Sequence, residues 1–175
     1  YARRQLAGMP NGDSLVKVYD ALVNASAAFI PSFTVPAGVN ITPDALGVIL
    51  SAYACDYPEH FWFDKLSIPY NPATLQVTAI GLKYIDSLAT QTAVDDFNDA
   101  CVELLEDIGI TPLTIPYMSQ EEMALFIHGA IIDHVDYVDA QNAHNAYGAI
   151  IDGLAVCEGY CELYQHLLSM VGIEA

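Results

Sequence analysis

The sequence predicts an α+β fold, with a helix-and-strand amino-terminal module followed by a mainly helical carboxy-terminal part. Two patterns carry that expectation. Apolar residues recur at helical spacing in several separate stretches, whereas residues 60–85 are aromatic and β-branched, with turn residues among them. Composition supplies the core: 54% of the 175 residues are hydrophobic and 15% are charged, which excludes a disordered chain.

The first helix is expected from residue 13 or 14 to about 29, where Leu15, Val16, Tyr19, Leu22 and Val23 follow an Asp/Ser cap. Residues 31–40 read as extended. A second helix starts at Thr42-Pro43-Asp44, with Thr as the cap and Pro in the first helical position, and stops near Tyr57-Pro58. Leu46, Val48, Ile49, Leu50 and Tyr53 dock it on a core. Phe61-Trp62-Phe63 and the stretches 66–70 and 75–80 read as two or three antiparallel strands, with a turn at Asn71-Pro72.

Thr90 opens a third helix that Gly109 closes, with Val94, Phe97, Cys101, Leu104 and Leu105 facing the core. The proline-containing connector 111–117 is the expected boundary between two domains, 1–115 and 116–175. Ser119-Gln-Glu-Glu begins a fourth helix with a capping-box signature, and Met123, Phe126, Ile127, Ala130 and Ile131 lie along it. Residues 136–145 read as a polar loop, 146–151 as a short helix and Asp152-Gly153 as a turn.

The balance of 22 acidic against 5 basic side chains narrows the partners. Nucleic-acid binding rests on Lys and Arg neutralising phosphates, and Arg3, Arg4, Lys17, Lys65 and Lys83 are too scattered to form a patch. An anionic membrane surface would repel the chain, and no apolar run approaches the roughly 20 residues of a membrane-spanning helix. The start, Tyr1-Ala-Arg-Arg, lacks the apolar core of a signal peptide, so an exported protein would already have lost its leader. Cationic or neutral partners remain.

The four cysteines, Cys55, Cys101, Cys157 and Cys161, are too few for a disulfide scaffold and contain no CxxC pair. Buried free thiols are the expectation, with a Cys55–Cys101 bridge as the alternative in an extracellular setting. Along 153–172, Tyr160, Leu163, Tyr164, Leu167, Leu168 and Val171 form one apolar stripe. Cys157, three residues before Tyr160, is expected to point inward from the helix start, where the helix dipole favours a thiolate. Gly159 in the first turn lets another backbone or a substrate approach.

Asn145-Ala-Tyr-Gly-Ala-Ile-Ile-Asp-Gly-Leu-Ala-Val-Cys-Glu-Gly-Tyr160 resembles the nucleophile motif of the bacterial transglutaminase-like proteins, papain-like cysteine enzymes. Ile127-His-Gly-Ala-Ile-Ile-Asp-His-Val-Asp-Tyr137 is similar to the family helix that precedes that motif. Asp56-Tyr-Pro-Glu-His-Phe-Trp-Phe63 is similar to a segment of the extension that many members carry. The resemblance implies the helical half of a papain-like core after the amino-terminal module, with Cys157 as catalytic nucleophile. It implies acyl transfer or hydrolysis at protein or peptide amides through a thioester, with no metal or organic cofactor. The histidine and aspartate of the family's triad belong to strands after this helix, expected beyond Ala175, so residues 1–175 alone are expected to be inactive. It also points to an extracellular or cell-surface setting and to self-association through an incomplete core. Tyr137 and Tyr147 are implied to line the cleft. The alternative is a non-catalytic surface or binding module that keeps the fold.

No internal histidine reads as a good base. His166, nine residues after Cys157, falls on the opposite side of the helix and is expected to face solvent or bond locally. His128 and His134, six residues apart, cannot face one point. His128 reads as structural, His60 as unrelated, and His144, in the loop before the motif, as the best substitute. Cys157, Cys161, Glu158 and Glu162 lack the second element that a zinc site needs. Cys161 is therefore expected to be a small helix-packing residue, and Asp133, Asp136 and Asp139 beside His134 a solvated helix end.

Overall fold

The computed structural model describes residues 1–71 and 76–174, so the expected turn at Asn71-Pro72 and the start of the 75–80 strand lie partly outside the described residues. The α+β class is as the sequence predicts. The chain forms two compact units, Tyr1–Ala89 and Thr90–Ala175.

In the first unit, α1 (Ala2–Ala7), α2 (Gly12–Ala27) and α3 (Pro43–Asp56) pack on one another. Thr42 caps α3 as expected, its hydroxyl accepting from Ala45 N–H at 3.3 Å. Helix α1 has no sequence signal of its own. Its uncapped amino end is satisfied by Asp56, the last residue of α3, which accepts from the Ala2 and Arg3 N–H groups at 2.8 Å each.

Strands β1 (Ser32–Thr34), β2 (Phe63–Ser67), β3 (Tyr70–Asn71), β4 (Gln76–Val77) and β5 (Ala79–Tyr84) follow. An antiparallel sheet takes the order β1-β5-β2, with Phe33 opposite Ile80 and Leu66 opposite Leu82, and β3 pairs with β4. Leu22, Ile41, Leu46, Ile49 and Ile80 are the centre of this unit's core. Beside it, the His60 ring lies 4.9 Å from Tyr57 and 4.8 Å from Trp62. His60 Nδ1 is 2.8 Å from the Tyr53 hydroxyl, which donates to Ser26 Oγ at 2.6 Å. Burial holds the His60 imidazole down to about 4. His60 is thus an architectural residue of the first unit.

The second unit opens with α4 (Gln91–Asp107), whose Thr90 cap accepts from Ala93 N–H at 3.1 Å. A short 3-10 turn (Ile115–Tyr117) leads to α5 (Gln120–His134), where Ser119 and Glu122 form the expected capping box. Then come β6 (Asp136–Tyr137), the expected short helical stretch over 146–152, whose main part is a π turn (Gly148–Asp152), β7 (Leu154–Ala155) and α6 (Cys157–Met170). Helices α4 and α6 both pack on the π turn, and α5 packs on α6. Phe97, Cys101, Ile127, Leu163 and Leu167 are buried.

The division at Ala89/Thr90 differs from the 115/116 boundary expected from the connector. Helix α4 belongs with the second unit because its apolar stripe is covered there: the Phe97 ring lies 4.9 Å from His166 of α6. Gly109, with φ at 79°, ends α4, and the connector 111–117 after it does not separate two cores. Among the described residues no helix is long and apolar enough to cross a membrane.

Candidate functional site

Three backbone bonds deliver the chain to the start of α6. Asp136 N–H donates to Gly153 O (2.8 Å), Val138 N–H to Ala155 O (3.1 Å) and Val156 N–H to Ala143 O (2.9 Å), the first two closing the parallel β6–β7 pair. Val156 then occupies the cap position in extended conformation, and its aliphatic side chain leaves the first-turn N–H groups without a side-chain cap. Cys157 is the first helical residue.

Cys157 is solvent-exposed, not inward-pointing as expected. The burial of α6 centres on Leu163 and Leu167, and Cys157 lies about 100° around the helix from that line. Tyr160 and Tyr164, counted in the stripe, are only half-buried and flank it. The same shift turns His166 inward: it is 7% exposed and sits against Phe97, not towards solvent.

Gly159 does what its absent side chain allows, and the partner is backbone. A Cβ there would lie 2.6 Å from Ala143 O and 3.0 Å from Asn145 O. Gly148 is as tightly placed, with Asn142 O at 2.0 Å from where its Cβ would be. The loop before the motif therefore lies directly on the first turns of α6. Glu162 helps to hold it, accepting from Ala146 N–H at 3.2 Å. Burial pushes the Glu162 carboxyl up to about 7, the Ala146 bond opposing and nearby Glu158 adding to the rise.

The other histidines of the second unit have contacts of their own. His144 Nδ1 lies 3.3 Å from Glu158 Oε2, and its Nε2 lies 3.4 Å from Asp139 Oδ1. His134 Nε2 is 2.9 Å from Ile150 O, and exposed His128 meets the Tyr164 ring edge-on at 6.0 Å. Asp133, Asp136 and Asp139 are exposed. Among the described residues no three of His, Cys, Asp and Glu gather where they could hold a metal ion.

None of the four cysteines, all among the described residues, forms a disulfide. Only Cys101 matches the expected buried thiol, and burial pushes it up to about 12. Cys161, expected to pack, is exposed instead, because it shares the open face of α6 with Cys157 one turn away. It lines an apolar groove of about 200 Å³ with His128, Ile131, Ile132, Tyr160 and Tyr164. Tyr137 stacks on Tyr160 at 6.1 Å, and the Tyr160 hydroxyl donates to Val135 O. Tyr147 is half-buried, and burial, with Asp152 and Asp96 nearby, raises its hydroxyl.

Sequence reasoning missed the groove and the division of charge between the units. Arg3, Arg4, Lys17, Lys65 and Lys83 all precede Ala89, so the second unit has no Lys or Arg at all against fifteen acidic residues. That count was available in the sequence once a boundary at 89 was known. The chain matches no protein-family model, and no curated protein matches it.

Proposed function

We propose that this chain carries the nucleophile portion of a transglutaminase-like cysteine enzyme, acting on amide bonds of proteins or peptides by acyl transfer or hydrolysis. The observation that supports this reading is the exposed Cys157 thiol at the first turn of a helix anchored by Leu163 and Leu167. A nucleophile needs a fixed position, access and nearby donors, and the uncapped first turn of α6 offers backbone N–H groups beside the sulfur.

In this reading the Cys157 sulfur attacks the amide carbonyl carbon, and the C–N bond breaks. The amine leaves with the proton given up by the thiol, and a thioester remains. Water or a second amine then attacks the thioester and returns the thiol. In the family that the sequence resembles, the proton shuttle for these steps is a histidine on a strand after this helix; within residues 1–175, His134 contacts Ile150 O, His166 packs on Phe97 and His144 is held between Asp139 and Glu158. Amide turnover by residues 1–175 alone is therefore not expected.

Acylation of the thiol is separable from that turnover. An activated ester such as p-nitrophenyl acetate should acetylate Cys157 ahead of Cys55 and Cys161, which are also exposed, as mapped by peptide mass spectrometry. Equal labelling of the three would remove the enzyme reading. The second reading, a non-catalytic binding module, would then stand. Self-association, expected from an incomplete core, is opposed by the uniform negative charge of the second unit.

A further inference from the structure

The groove between α5 and α6 is the open feature that the nucleophile reading leaves unused. Helix α5 carries apolar residues on more than one face, yet only Met123, Ile127 and Ile131 are buried. Ile132 is 56% exposed and faces the groove, and Phe126 and Leu125 are uncovered as well. Exposed apolar residues gathered on one helix are the kind of surface that takes a partner. The groove and the thiol share one face of α6, since Cys161 follows Cys157 by four residues, about 40° around. At about 200 Å³ it has room for one large side chain and falls short of a typical small-molecule site of ~300 Å³ or more.

Charge identifies the occupant. Glu158, exposed, lies one turn before Cys161 on α6, and Asp133 and Asp136 are exposed at the end of α5 and in β6. Asp139 and Glu158 lie either side of His144 near the Cys157 end. No Lys or Arg anywhere in the unit neutralises them. A second copy docking by the same face would set these acids against one another, whereas a cationic chain would be drawn in.

We infer that the α5–α6 groove docks a cationic peptide segment, taking one of its aliphatic or aromatic side chains while its Lys or Arg residues meet the uncompensated acids of the second unit. The inference rests on the nucleophile reading for one point only, that the docked segment is the substrate presented to Cys157.

The test uses the full chain and two peptides with the same Leu and Phe positions, one rich in Lys and one with Glu in place of each Lys. Fluorescence anisotropy should show binding of the Lys peptide alone, weakening several-fold as salt rises. The Lys peptide should slow alkylation of Cys161 several-fold and leave Cys55 unchanged, a readout that needs no variant. Ile132→Ser, at an exposed position, should abolish the binding. Equal binding of both peptides, or Lys-peptide binding that survives Ile132→Ser, would overturn the inference in favour of a diffuse acidic surface. A dimer that Ile132→Ser dissolves would overturn it in favour of a second copy. Cys157→Ala should bind the peptide normally. Binding without selective acetylation of Cys157 would remove the enzyme reading alone, and selective acetylation without binding would remove the groove alone.

Discussion

Gly159 and Ala143 touch backbone to backbone: the Ala143 carbonyl that accepts the Val156 N–H lies where a Cβ on Gly159 would be, at 2.6 Å. That contact seats the loop before the motif on the helix that carries Cys157. Gly159→Ala should therefore cost about 1–3 kcal/mol, because neither backbone can yield cheaply. Gly129→Ala, inside α5 with nothing within 4 Å of its Cβ, should instead gain up to about 1 kcal/mol. Urea unfolding of both variants checks the pair, and equal effects would refute the assigned contact.

His60 makes the first unit acid-sensitive. Burial holds its imidazole near 4, below the 6.5 of a free histidine, so the folded state binds fewer protons than the unfolded one between those values. The neutral ring's contribution is complete above about pH 6.5 and is lost as pH falls towards 4, by up to about 3 kcal/mol. Trp62, the single tryptophan, lies 4.8 Å from the His60 ring and reports this unit by fluorescence. Denaturant midpoints read this way should fall on acidification, and His60→Phe should flatten the slope.

Glu162 works in the opposite sense in the second unit. Its carboxyl, raised to about 7 by burial, with Glu158 adding to the rise, binds a proton more tightly folded than unfolded. Stability from this group is complete below about pH 4.5 and is lost as pH rises through 7. Glu162→Gln keeps an oxygen for the Ala146 N–H and removes the buried charge. It should stabilise the protein by about 2 kcal/mol at pH 8, discounted for partial exposure, and change little at pH 4.5. A variant less stable than the parent at pH 8 would show that the carboxylate charge is needed there.

Cys101 should react with iodoacetamide only on unfolding. It is fully buried and its thiol is held near 12, whereas Cys55, Cys157 and Cys161 are exposed. In native buffer three thiols should label and the fourth should lag, its rate rising with urea together with the unfolding of the second unit. Prompt labelling of Cys101 would mean that α4 opens locally.

The amino-acid sequence by itself determined where the three capped helices begin. Thr42, Thr90 and Ser119 each accept from the N–H three residues on, a bond between near neighbours that needs nothing else in the molecule. It also determined the small residue at 159 and the acidity of everything after residue 89. Only the tertiary structure decided which way the side chains of α6 turn. Tyr160 and Leu163 look alike in an apolar stripe, and the packing around Leu163 and Leu167 turned His166 in and left Cys157 and Cys161 out. Likewise α1 exists through Asp56, more than fifty residues away, and α4 joined the second unit through Phe97 and His166. Local hydrogen bonds are written in adjacent letters, whereas a buried face is chosen by whatever surface the rest of the chain brings to it.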